Sequence, residues 1–189
     1  MKRRSRLDEF SAHRLGGEPV PEDVKILLKH AEELEERTGI ELSGEKSWAP
    51  WSDTSYLTKA DRANPDIMAN VRSIGEVCRL IAFVAADEDD EYLGYWRGPD
   101  RRQVADSPVV VLDNEGQFSF CGGRTFAEAL LGRAYGDEPF AELRDWFRSL
   151  GIPVRAETPD DLADPEGEPS PDELHKELYY RYRREAGLA

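Results

Sequence analysis

The sequence predicts an α+β fold: an antiparallel or mixed central sheet of about four to six strands flanked by helices. Three observations predict it. Helical patterning occupies the first part of the chain and the part after residue 125, while strand patterning is concentrated between Val77 and Cys121. The strand-like runs follow one another across short turns, as in a meander, and segregation of this kind is the mark of α+β architecture. The 189 residues are 39% hydrophobic and include four Trp, enough to build one core without a disulfide or structural metal.

Residues 1–18 read as a flexible basic tail carrying Lys2, Arg3, Arg4 and Arg6 and closing at Gly16-Gly17. A helix is expected from Pro21 to Gly39. Pro suits the first turn, Glu22 and Asp23 its positive end, and Gly39 the stop. Val24, Leu27, Leu28, Ala31 and Leu34 form its apolar stripe, with Glu32, Glu33, Glu35 and Glu36 mostly on the wet side. Residues 43–56 read as a loop whose Trp48 and Trp51 fold back on the body. Asn64 to Val71 could open a short helix or an extended turn.

From Val77 to Val84 the near-continuous apolar run suits a strand covered on both faces. Five acids, Asp87, Glu88, Asp89, Asp90 and Glu91, supply the turn into a second strand, Tyr92 to Trp96. Pro108 to Asp113 is rich in β-branched residues and reads as a third. Asn114-Glu115-Gly116 is a hairpin signal, and Gln117 to Cys121 alternates as a fourth. Thr125, with Glu128 three residues on, opens a helix through Leu131, and Asp137 opens another that Gly151 stops. Residues 153–171 read as an acidic, proline-rich linker, with eight acids, four prolines and no base between 157 and 173. Ser170-Pro171 then starts a C-terminal helix over residues 172–189, either docked or exposed. Domain organisation is thus a tail, one domain over 19–152, the linker and the terminal helix.

Charge and composition narrow the function. A formal net charge of −14 repels nucleic acid and attracts basic partners. No stretch approaches the roughly 18 apolar residues of a membrane span, and the basic start lacks the apolar core of a secretory signal. A cytoplasmic protein is expected. Cys78 and Cys121 lie in apolar or small-residue contexts outside any CxxC or Cys/His cluster and read as reduced packing residues. His13, His30 and His175 lie outside the strand region, so no triad or metal set emerges, and neither cofactor nor metal is expected. The acidic run lacks the mid-loop glycine and terminal glutamate of a calcium loop. Cys121-Gly122-Gly123 leaves a small hydrolase or ligand-binding enzyme as an alternative, although a tight strand-to-helix turn explains those glycines as well.

The acidic run can steer a basic partner, and aromatics buried by a partner dominate interface energetics. The candidate partner-binding residues are therefore Asp87, Glu88, Asp89, Asp90, Glu91, Tyr92, Tyr95 and Trp96. On an alternating strand Tyr92, Gly94 and Trp96 share one face, Leu93 and Tyr95 the other. Either one face is open to a partner or both are covered.

The order Leu80 to Ala85, acidic turn, Tyr92-Leu93-Gly94-Tyr95-Trp96, Ser107-Pro108-Val109-Val110-Val111-Leu112-Asp113, Gly116-Gln117 and Thr125-Phe126-Ala127-Glu128-Ala129-Leu130-Leu131 resembles the SUKH superfamily. These are Smi/Knr-type domains found in many bacterial immunity proteins. The resemblance covers about residues 55–132. It departs from the family in the N-terminal helix, which lacks the usual Asn-Gly-Gly ending, and in the turn, where Asp89-Asp90-Glu91 replaces a Gly-Asp pair. It implies an α+β fold and a non-enzymatic role, most often neutralising a polymorphic toxin by covering its active site. A regulatory scaffold of the same fold is a further expectation.

Overall fold

A computed structural model describes residues 5–165 and 169–188. In chain order the elements are α1 (Arg6–Arg14), α2 (Glu22–Leu27), α3 (Ala31–Thr38), β1 (Glu41–Leu42), α4 (Lys59–Ala63), α5 (Pro65–Cys78), β2 (Ile81–Ala86), β3 (Tyr92–Trp96), β4 (Val109–Leu112), β5 (Phe118–Phe120), α6 (Phe126–Leu131), α7 (Asp137–Ser149) and α8 (Pro171–Glu185). The five strands form one wholly antiparallel sheet in the order β1-β2-β3-β4-β5. The fold is α+β.

Helices cover both faces of this sheet. Val84, Leu93, Tyr95, Val109 and Val111 point into a core shared with α1, α2, α3, α6 and α7. Ile81, Phe83, Trp96, Val110, Leu112 and Phe118 point the other way, under α5, α8, Trp48 and Trp51. Two-sided burial explains why the strand run is apolar throughout rather than alternating. Phe83 pairs with Gly94 but Ala85 with Leu93, so Val84 sits in a bulge, and its carbonyl accepts from the Ser43 N–H at 3.0 Å. Gly94 is required by close approach. A Cβ there would lie 2.7 Å from the Ala82 oxygen and the Phe83 Cα.

Several boundaries differ from the sequence reading. Described residues 5–18 of the expected tail are packed, not free. Ser5 and Asp8 form a capping box for α1, Phe10 and Leu15 are buried in the first core, and Arg14 donates to the Trp48 carbonyl at 2.6 Å. Lys2, Arg3 and Arg4 lie outside the described residues. The single helix expected over 21–39 is two, α2 and α3, because the Lys29 and His30 N–H groups bond only three residues back and break the ladder. Gly39 does end the second, at φ +69°.

The Asn64 segment is helical, with Asn64 as cap and Pro65 at the first position. Val77 and Cys78 belong to the end of that helix, so the strand begins only at Ile81. The expected linker is packed over its first part: Val154 and Ala156 are core residues, continuing from Ile152 at the end of the expected domain. Residues 166–168 of that linker fall outside the described set. The C-terminal helix docks. Leu178 and Tyr182 enter the second core, and the Trp96 indole N–H donates to the Pro169 carbonyl at 3.0 Å. Among the described residues, no helix is long and apolar enough to cross a membrane.

Candidate binding surface

The acidic turn between β2 and β3 is built rather than loose. The Asp87 Oδ1 accepts from the N–H groups of Asp89 and Glu91, both at 3.0 Å, and Asp90 takes the left-handed conformation at φ +61°. From the end of α6, Arg133 reaches across. Its guanidinium donates to Asp87 at 2.6 Å and to Glu91 at 2.7 Å. Burial opposes the charge of Arg133, but Glu91 and Asp87 outweigh it and hold the guanidinium above its ordinary value. Two of the five candidate acids are thus committed to an internal ion pair, while Glu88, Asp89 and Asp90 remain exposed.

The aromatic candidates divide differently from the sequence reading. Tyr95 is 4% exposed and Trp96 is 0% exposed, on opposite faces of β3, so neither is available to a partner. The reason is the second helical layer: α5 and α8 cover the Trp96 face that a one-sided sheet would have left open. Tyr92 is half-buried against Trp48, Trp51 and Phe83, and partial burial together with nearby Asp90 raises its pKa. Among the described residues the Tyr95 hydroxyl has no hydrogen-bond partner, and burial with the neighbouring Asp23 charge raises its pKa well above the ordinary phenol value.

What joins the exposed acids is a part of the chain distant in sequence. A hollow of about 340 Å³ runs between Thr38, Glu88, Asp89, Arg133 and Tyr135. It adjoins, through Gly39 and Glu88, a depression of about 480 Å³ lined by Glu32, Glu35 and Glu36 of α3. At its edge Tyr135 is 96% exposed. The wet face of α3 was legible as a glutamate stripe. Its placement beside the β2–β3 turn was not, and neither was the role of Arg133 or Tyr135, which carry no local motif.

The Cys121-Gly122-Gly123 turn is closed by the segment that follows α7. Gly122 lies against Leu162, the Gly123 N–H donates to the Ala163 carbonyl at 2.8 Å, and a Cβ on Gly123 would collide with Glu128. Burial pushes the Cys121 thiol up to about 11, with Arg133 pulling it down and Glu91 adding to the rise. The Cys78 thiol, likewise buried, is pushed up to about 12. Both cysteines are free. Two of the histidines are engaged elsewhere: His13 with the Gly44 carbonyl at 2.9 Å and His175 with Asn70 at 3.0 Å. Among the described residues, no group of three or more His, Cys, Asp or Glu side chains is placed to hold a metal ion. No family model, curated protein or solved structure matches the chain.

Proposed function

We propose that this is a non-catalytic, cytoplasmic binding protein that captures a basic protein partner on the surface formed by α3 and the β2–β3 turn. The observation that carries the reading is the junction of two acidic segments, Glu32, Glu35 and Glu36 with Glu88 and Asp89, around two adjoining hollows that share Glu88, one of them rimmed by the exposed Tyr135. Carboxylates of this kind accelerate encounter with a positive surface and reject negative ones, including nucleic acid. A tyrosine at the edge gives such an encounter an amphipathic anchor.

The resemblance to SUKH domains supports a partner that is a toxin domain, neutralised by occlusion of its basic active site or substrate groove. A hydrolase working through Cys121 has less support, since the thiol is buried and Leu162 and Ala163 fill the turn that would have to admit a substrate. Co-purification with the product of any toxin gene found to neighbour this one tests the reading. A stable complex that weakens in the Glu35→Lys, Glu88→Lys, Asp89→Lys variant is expected; a complex indifferent to those reversals would remove this surface from the function.

A further inference from the structure

One stripe of α5 lines a hollow. Val71, Ile74, Gly75 and Cys78 recur at three- and four-residue spacing and so share a face of the helix. With Trp51 and Tyr56 from the loop opposite they enclose about 420 Å³, within the roughly 300–1,000 Å³ of small-molecule sites. The loop is fixed by contacts within the chain. The Trp51 ring packs on Phe83 at 4.2 Å and on Tyr92 at 5.9 Å, and the Ser52 and Asp53 N–H groups donate to the Ala49 and Pro50 carbonyls at 3.0 and 2.9 Å.

Gly75 is the residue of this stripe that packing within the chain does not explain. Glycine inside a helix weakens it relative to alanine. Gly75 has no positive φ to require it, and a Cβ there would meet none of the described atoms within 4 Å. Its bare backbone leaves room for a group from outside the chain. Two of the lining residues carry charge, and their signs are opposite: Asp53 and Arg79. Neither has an ion-pair partner among the described residues. Asp53 accepts from the Ser55 N–H at 2.8 Å and the Ser55 hydroxyl at 3.0 Å, which hold its carboxyl below the ordinary range and therefore ionised. Arg62 donates to the Thr54 carbonyl at 2.6 Å without lining the hollow. The Cys78 thiol, pushed up to about 12 by burial, is a neutral wall.

We propose that this hollow binds a free apolar α-amino acid. Its side chain lies between Trp51 and Ile74 against the Gly75 backbone, its ammonium group at Asp53 and its carboxylate at Arg79. A ligand of single charge would leave one of the two protein charges unpaired; a zwitterion answers both. An apolar side chain is selected because the walls between the charges offer aromatic and aliphatic surface and a neutral thiol. The site shares no residue with the surface of α3 and the β2–β3 turn, and it stands or falls independently of the basic partner proposed there.

The test is a titration of the isotopically labelled full chain with phenylalanine, followed by amide NMR shifts. Parallel titrations use phenylpropionate, which lacks the amino group, and phenylethylamine, which lacks the carboxylate. Saturable shifts centred on residues 51–56 and 71–79 are expected, with each one-charge analogue binding about tenfold or more weakly. Asp53→Asn should weaken phenylalanine but not phenylpropionate, and Arg79→Gln should weaken phenylalanine but not phenylethylamine. Gly75→Leu fills the hollow with a good helix former, so it should abolish the shifts while leaving the urea midpoint at or above that of the parent. Unshifted amides up to the solubility of phenylalanine would overturn the proposal. So would equal binding of either analogue, or parent-like affinity in a folded Gly75→Leu variant.

Discussion

At the scale of single residues, Asp23 is the most consequential buried charge. Its Oδ2 accepts from the Ala127 N–H at 3.0 Å and so ties α2 to the first turn of α6, near the buried Tyr95 hydroxyl. Burial raises its pKa, the backbone donors of Ala127, Val24 and Phe126 only partly offsetting this. The folded chain therefore holds this proton more tightly than the unfolded chain does. The resulting stabilisation is present below the ordinary carboxylate range and is lost as pH rises through the raised folded value. Asparagine keeps an acceptor oxygen and has no charge to bury. Asp23→Asn should gain stability relative to the parent protein as pH rises from the acid range to neutrality, measured by urea denaturation across that range. A difference that is constant with pH, or shrinks, would contradict the assignment. Gly94 offers a steric counterpart. Gly94→Ala places a methyl 2.7 Å from backbone atoms of the neighbouring strand and should cost about 2 to 3 kcal/mol in the same assay.

At the scale of elements, α8 decides what the sheet can do. It covers Trp96, Phe118 and Leu112, and its Tyr182 hydroxyl donates to Glu76 of α5 while Arg72 of α5 lies over the Tyr182 ring. Truncation after residue 169 should expose several large side chains at about 2 kcal/mol each, a large share of the roughly 5–15 kcal/mol that holds a domain together. The truncated chain is expected to lose cooperative unfolding and native tryptophan emission; retention of both would return α8 to the status of an appendage. Elements with strong local grammar were legible in the sequence: the hairpin at Asn114 to Gly116, the Thr125 cap, and the Gly39 and Gly151 stops. The misread elements are those where tertiary packing overrides composition. Phe10 and Leu15 anchor a segment that is otherwise polar, and Val154 and Ala156 hold down the start of a segment whose composition reads as a linker. Val77 and Cys78 look like a strand start because a buried helix end is as apolar as a buried strand.

At the scale of the whole molecule, charge is unevenly placed, and that placement is the functional signal. The acidic run was visible in the sequence, but half of its apparent capacity was not available: Arg133 consumes Asp87 and Glu91, and the sheet consumes Tyr95 and Trp96. What replaces them, Glu32, Glu35, Glu36 and Tyr135, comes from segments that only the folded chain brings together. No periodicity or motif links residues separated by some fifty positions, so only the fold brings this part of the site together. The most direct measurement of the central claim is the association rate with a co-purifying basic partner domain, by stopped flow over a range of ionic strength, for the parent protein and the Glu35→Lys, Glu88→Lys, Asp89→Lys variant. Steered association gives a rate about tenfold or more higher for the parent at low salt, converging with the variant as salt screens the surface. Equal rates at every ionic strength would contradict it.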